Sequence, residues 1–221
     1  MSSSMSVGIA PGLNRPRADD RYPSRFDART RVSNRQDPVV YGSADDGPLS
    51  QSDLRFYDDN GYLSFDAVLQ PEELQSALDE LQRLRLDEVL KDSDEAVIEP
   101  GSRELRSIFA VHRHNAVLSR LCAQPKLAAI ARQLLGGEVY IHQSRINYKG
   151  GFRGKEFYWH SDFETWHVED GIPAMRMVSS GSSGVHAARS ASTAARWRCF
   201  TIDMSLRYLR ATSGSPLSPR S

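Results

Sequence analysis

The sequence predicts an α+β domain, with helices first and strands after. Two observations carry this. Leucine-rich segments between about residue 71 and residue 135 repeat at helical spacing, and from Glu138 onward the texture turns to β-branched and aromatic residues. That order fits an α+β domain whose sheet carries the site.

Taken in chain order, Leu54, Phe56 and Tyr57 followed by Gly61-Tyr62-Leu63 predict a short helix, a glycine stop and a strand running through Phe65. Pro71 then suits a first helical turn, and Glu72 and Glu73 complement its positive end. Leu74, Leu78, Leu81 and Leu84 form one apolar stripe, and the helix is expected to reach about Leu90. Further helices are expected over residues 115–122 and over Pro125–Leu135, the second stopped by Gly136-Gly137. Val139–Tyr148 reads as a strand, and so does the segment from Phe157 to Phe163. Glu169-Asp170-Gly171 reads as a turn.

The chain has 221 residues, enough for one domain with a real core. Its 28 basic and 28 acidic side chains cancel, which removes the electrostatic case for nucleic acid or an anionic membrane as partner. No apolar run is long enough to span a membrane, and the first residues lack the pattern of a secretory leader. Two cysteines, Cys122 and Cys199, make no disulfide framework, and Cys122 is expected to be a small core residue. These features point to the cytoplasm. Residues 1–50 are polar and read as a mostly disordered arm, with Pro38-Val39-Val40-Tyr41 as an extended piece that docks on the domain. Residues 51–179 form the domain. Residues 180–221 contain six Arg, no Lys and one acid, Asp203, and read as a solvated linker or interaction segment.

The chemistry concentrates on two segments. Alternation along Val139–Tyr148 puts Gln143, Arg145 and Asn147 on one face and His142, Ser144, Ile146 and Tyr148 on the other. Three polar residues in a row suit a solvated sheet face, or the interior of an open barrel that binds a small polar ligand. The following loop, residues 149–155, is glycine-rich but lacks phosphate-loop spacing. Beyond it, His160 and Asp162 stand two residues apart, so on a strand they point the same way. This is the spacing of the H-x-D pair in a two-histidine, one-carboxylate iron site. Trp166 serves as an apolar wall, as a cation–π partner or as a core residue; spacing does not choose.

The string from Phe157-Tyr158-Trp159-His160-Ser161-Asp162-Phe163 through Glu164-Thr165-Trp166-His167 to Ala174-Met175-Arg176 resembles the signature of the ectoine hydroxylases. These belong to the phytanoyl-CoA dioxygenase-like branch of the 2-oxoglutarate oxygenases. Gln36-Asp37-Pro38-Val39-Val40-Tyr41, Asn60-Gly61-Tyr62-Leu63, Arg106-Ser107-Ile108-Phe109 and Gln143-Ser144-Arg145-Ile146-Asn147 extend the likeness, which runs from about Arg35 to about Ser179. The resemblance implies a cupin-like double-stranded β-helix, or jelly roll, with flanking helices, often as a homodimer. It implies Fe(II), 2-oxoglutarate and O2, and ectoine as the substrate converted to 5-hydroxyectoine. By position, His160 and Asp162 are the implied iron ligands and Phe109 and Asn147 the 2-oxoglutarate residues. Gln143, Thr165, Trp166 and, less directly, Arg145 are implied to surround ectoine.

Beyond residue 179 the likeness stops. The family's third iron ligand and the arginine that pairs with the distal carboxylate of 2-oxoglutarate have no counterpart there, and His186 is the one histidine in that stretch. The expectation is therefore a jelly roll lacking its C-terminal strands, with a reading frame that shifts near residues 179–181. Such a chain would be inactive and, with its sheet edges open, prone to aggregate. A related hydroxylase of another small molecule is the enzymatic alternative, and a non-catalytic remnant is the second class.

Overall fold

The computed structural model of the chain describes residue 22 and residues 34–66, 68–148, 160–184 and 198–206. The chain divides into two compact units, Met1–Asp37 with Tyr158–Met175 and Pro38–Phe157 with Arg176–Ser221.

In the larger unit, helix α1 (Gln51–Asn60) begins at Ser50, whose hydroxyl accepts from the Asp53 amide while the Asp53 carboxylate accepts from the Ser50 amide. This reciprocal pair satisfies two donors that a helix start otherwise leaves open. Gly61, at φ 76°, closes it as predicted. The strand expected after Gly61 is absent: residues 62–65 are irregular. They find no strand to pair with, and Tyr62 instead rests edge-on against Phe56 while the Lys126 ammonium sits over the Phe65 ring.

Helix α2 (Pro71–Arg85) has the predicted proline start and buries Ala77, Leu81 and Leu84. It ends short of Leu90 because Asp87 caps a separate turn, α3 (Glu88–Lys91), by accepting from the Leu90 amide. An aspartate side chain that bonds nearby backbone competes with helix continuation. The hairpin of β1 (Ala96–Ile98) and β2 (Leu105–Phe109) escaped the periodicity reading. It turns through Gly101 and Arg103, both at positive φ. The short α4 (Val111–His114) was likewise not foreseen, whereas α5 (Ala116–Cys122), α6 (Pro125–Leu135) and β3 (Val139–Tyr148) fall where expected.

Two further strands, β4 (Met177–Gly184) and β5 (Arg198–Leu206), complete an antiparallel sheet ordered β1-β2-β3-β5-β4. Most of their residues lie in the stretch read as a linker, and that reading is corrected for residues 180–184 and 198–206. The missed signal is a period of two, with Phe200, Ile202, Met204 and Leu206 alternating with other residues. His186 and the remainder of that stretch lie outside the described residues, as do residues 149–155 and most of the N-terminal arm. The coarse expectation of helices plus an antiparallel sheet holds.

The main core joins Leu81 and Leu84 of α2 to Leu105, Ile108, Val111, Leu118, Cys122, Ala131 and Ile146. A second cluster joins Leu49, Leu54, Ile130 and Leu134, with Val40 packed against it. Residues 38–50 are therefore part of the folded body, which corrects the reading of them as disordered and bears out the docking of Pro38-Val39-Val40-Tyr41. The Tyr41 amide donates to the Leu134 carbonyl, and the Arg176 guanidinium lies 4.1 Å over the Tyr41 ring.

Behind the sheet lies one polar link. The fully buried Ser144 hydroxyl accepts from the His112 amide and meets His112 Nδ1 at 2.6 Å. The Cys122 thiol also bonds Ser144, and burial pushes its pKa up to about 12, so it stays protonated as a core residue. Burial, with Arg113 and His114 adding repulsion, lowers the pKa of His112. Between that lowered value and the ordinary histidine value of about 6.5, the unfolded chain binds the proton and the folded chain does not, so stability falls as pH falls through that window. Urea midpoints measured from about pH 8 to pH 5.5 should decline, and the decline should flatten in His112→Gln. An equal decline in that variant would place the effect elsewhere.

Candidate functional site

The sequence-predicted residues fall in both units. In the larger unit, β2 and β3 pair so that Ser107 stands opposite Asn147, Ile108 opposite Ile146 and Phe109 opposite Arg145. Ile108 and Ile146 are buried in the helix-covered core. By alternation Phe109, Gln143, Arg145 and Asn147 share the opposite face of the sheet. The predicted grouping of the three β3 residues is thus observed, and Phe109 joins them from the neighbouring strand.

A bulge makes this grouping possible. The β3–β5 register shifts between Ile141 and Gln143. Val139 and Ile141 pack on the same core as Ile146 and Tyr148, although one pair is odd-numbered and the other even. One extra residue, at His142, changes the parity of the strand. Without it, Gln143, Arg145 and Asn147 would fall on the face that Val139 and Ile141 use, and three polar side chains would enter the core.

Ser107 is a residue the sequence reading passed over. Its buried hydroxyl donates to Asn147 Oδ1 at 2.8 Å. That fixes the amide orientation and leaves the Asn147 NH2 as the group available to a ligand's acceptor oxygen. Position in the motif Arg106-Ser107-Ile108-Phe109, two residues from Phe109 on the same strand, was the signal that could have found it.

In the smaller unit the expected strand through His160 and Asp162 is replaced by helix α7 (Asp162–Asp170), with Ser161 extended before it. The Ser161 hydroxyl accepts from the Glu164 amide at 3.4 Å, and Asp162 and Glu164 load the first turn with negative charge. Ser161-Asp162-Phe163-Glu164 is a helix-start pattern, and Gly171, at φ 70°, is the matching stop, so the turn expected at residues 169–171 is the helix end. Residues 157–159 lie outside the described residues.

The correction to the backbone leaves the pair together. His160 Nε2 and Asp162 Oδ1 are 3.2 Å apart, with the imidazole half exposed. Two neighbouring donors on an octahedral cation, each about 2.1 Å from it, stand about 3.0 Å apart. An imidazole nitrogen and a carboxylate oxygen at this separation therefore fit two adjacent positions of a nitrogen–oxygen iron site. Among the described residues, no group of three or more His, Cys, Asp or Glu is placed to hold a metal ion. Thr165 and Trp166 follow Asp162 by three and four residues, so all three lie on one face of α7. Trp166 is 6 % exposed, a buried side chain.

No helix among the described residues is long and apolar enough to cross a membrane. Residues 57–187 match the model of the phytanoyl-CoA dioxygenase (PhyH) family. The chain is 50 % identical over 163 residues to the ectoine dioxygenase of Bordetella parapertussis, covering 73 % of this chain and 53 % of that one. It is 47 % identical over 162 residues to the ectoine dioxygenase of Streptomyces coelicolor, covering 72 % and 54 %. The chain thus spans about half the length of the curated relatives it matches. Among solved structures, EctD from S. alaskensis with 2-oxoglutarate and 5-hydroxyectoine superposes with a TM-score of 0.70 at 47 % identity, covering 74 % of this chain and 58 % of that one. The same enzyme in its apoform gives a TM-score of 0.73 at 33 % identity, covering 85 % and 88 %.

Proposed function

The chain belongs to the phytanoyl-CoA dioxygenase (PhyH) family, and we propose that it carries the first part of an Fe(II)- and 2-oxoglutarate-dependent hydroxylase site that converts ectoine to 5-hydroxyectoine. Identity near one half to ectoine dioxygenases, together with a family match over residues 57–187 that contains every candidate site residue, is the observation that carries this reading. In it, His160 and Asp162 are iron ligands, Phe109 and Asn147 hold 2-oxoglutarate, and Gln143, Arg145, Thr165 and Trp166 surround ectoine. The antiparallel sheet, β4 and β5 included, is read as part of a double-stranded β-helix. A cytoplasmic homodimer belongs to the same reading.

When bound, iron with 2-oxoglutarate and O2 supplies the oxidation that puts a hydroxyl on an unactivated carbon, as 2-oxoglutarate becomes succinate and CO2. The protein's part is binding and order. His160 and Asp162 offer one neutral and one anionic donor, which leaves the remaining positions to co-substrates and further protein groups. The Asn147 amide, oriented by Ser107, donates to an anionic oxygen of the co-substrate. Arg145 supplies fixed positive charge on the same face, matched to a carboxylate. Phe109, at the end of β2, adds an apolar wall that keeps water from the reacting centre.

The test is a hydroxylation assay on the 221-residue chain. It contains Fe(II), 2-oxoglutarate, O2 and ectoine, and 5-hydroxyectoine is read by chromatography. Product well above a His160→Ala control is expected, either from the chain alone or after fusion to the C-terminal half of an ectoine dioxygenase. Absence of product from both, with folded protein, would overturn the reading and favour a non-catalytic remnant.

A further inference from the structure

We propose that Tyr22, in the N-terminal arm, is a positioning residue for the iron-ligand pair, acting through helix α7. The inference rests on the reading of His160 and Asp162 as ligands and extends it to a part of the chain that the motif does not include.

The contacts that carry it lie within the smaller unit. The Tyr22 ring packs edge-on against Phe163, with centroids 5.0 Å apart, and edge-on against His167 at 5.3 Å. Phe163 and His167, one helical turn apart, stack on each other at 5.4 Å, so Tyr22 grips one side of α7 beside Asp162. Its hydroxyl donates to the Asp37 carboxylate and accepts from the Met175 amide at 3.3 Å. A hydroxyl has one donor and two acceptor positions, so these two bonds are compatible. Arg35 reinforces the same closure, donating to the Asp37 carbonyl at 2.9 Å and to the Met175 carbonyl at 3.4 Å.

Tyr22 therefore holds α7 by its flank, and with Arg35 it holds the segment after it through side-chain bonds to the Met175 backbone. This matters because α7 is short and depends on tertiary contacts. It is nine residues long, and among its described side chains Trp166 is the one that is buried. A helix this short is marginal without tertiary contacts. Asp162 is its first residue, and His160 precedes it by two. Fraying of the first turn would separate the two donors now 3.2 Å apart. Tyr22 touches neither donor; it sets how long they stay together.

The experiment compares the full chain with Tyr22→Ala and Tyr22→Phe. Hydrogen exchange over residues 162–170 is read without metal, and Mn(II), an oxygen-stable substitute for Fe(II), is titrated into each. Tyr22→Ala should speed exchange across α7 and weaken Mn(II) binding by about 10- to 100-fold, the range for loss of a group that supports a metal ligand. Tyr22→Phe keeps the ring contacts and should recover most of both. Exchange within twofold of the parent would overturn the proposal. Faster exchange with unchanged Mn(II) affinity would also overturn it, reducing Tyr22 to a structural contact. A parent chain that holds no Mn(II) would sink the ligand assignment instead, and the exchange data would still decide whether Tyr22 orders the helix.

Discussion

Asp162→Ala is expected to weaken divalent-metal binding by more than about 100-fold, beyond the loss caused by removing a supporting residue, while leaving the metal-free protein almost as stable as before. The two halves of this expectation come from different physics. In the proposed site Asp162 would supply the anionic donor of the pair, and its carboxylate oxygen lies 3.2 Å from His160 Nε2. An N–O site without its carboxylate loses both a donor and the charge that partly neutralises the cation. As a fold element, Asp162 is a partly exposed first-turn residue of α7. An acidic side chain there contributes about 0.3–1 kcal/mol through the helix dipole. Asp162→Asn keeps the shape and should fall between parent and alanine variant in affinity. Metal titration and a thermal melt of the same samples check both halves. Unchanged affinity would remove Asp162 from the site, and a stability loss above about 2 kcal/mol would recast it as structural.

The contrast between Asp162 and Gln143 shows where the sequence was readable. On β3 the period of two was clean enough to group Gln143, Arg145 and Asn147, and the observed register keeps them together. The bulge at His142 was overlooked, although the apolar residues of β3 switch from odd to even positions across it. His160 and Asp162 were paired on a mistaken backbone. Strand alternation and a helix start both bring residues two apart within reach when the intervening residue is extended, so the two side chains meet although the element differs from the one expected. The capping pattern at Ser161-Asp162-Phe163-Glu164 contained the correction. Tyr22 was not legible as support, and Ser107 was legible only through its place beside Phe109 in the motif. Their partners lie 141 and 40 positions away, at Phe163 and Asn147, and contacts at such range follow from tertiary packing rather than from local pattern. The strands β4 and β5 were overlooked for a different reason: Ser, Ala and Arg bias across residues 180–221 masked the alternation at residues 198–206.

Gln133→Leu should destabilise the larger unit by about 3–5 kcal/mol, the largest stability effect expected of a single substitution in this chain. Gln133 is fully buried on α6 and serves three backbone groups of another segment. Its Oε1 accepts from the Leu49 amide at 2.8 Å, and its Nε2 donates to the Ser43 carbonyl at 2.7 Å and the Leu49 carbonyl at 2.9 Å. Leucine has nearly the same size but none of these atoms, so the buried Leu49 amide and carbonyl would lose their partner, each costing about 1–3 kcal/mol, and the Ser43 carbonyl would lose its own. The backbone of that segment lies close against Gln133. A Cβ added at Gly47 would stand 2.6 Å from Gln133 Oε1, and one at Gly42 would stand 2.2 Å from the Gln133 carbonyl. The penalty would therefore appear as loss of the 38–50 segment, exposing Leu49 and opening the second core cluster. Gln133→Glu separates the causes. Its carboxylate can still accept from Leu49 but faces two carbonyls where a donor is needed, so burial and repulsion favour the protonated acid in the folded state. A folded pKa raised above the unfolded value of about 4.3 means that the variant's deficit against the parent shrinks as pH falls toward that value and grows as pH rises through the folded pKa. Urea unfolding of parent, Gln133→Leu and Gln133→Glu at two pH values would check this. A deficit independent of pH in the glutamate variant would show that volume, not donor and acceptor matching, is what Gln133 supplies.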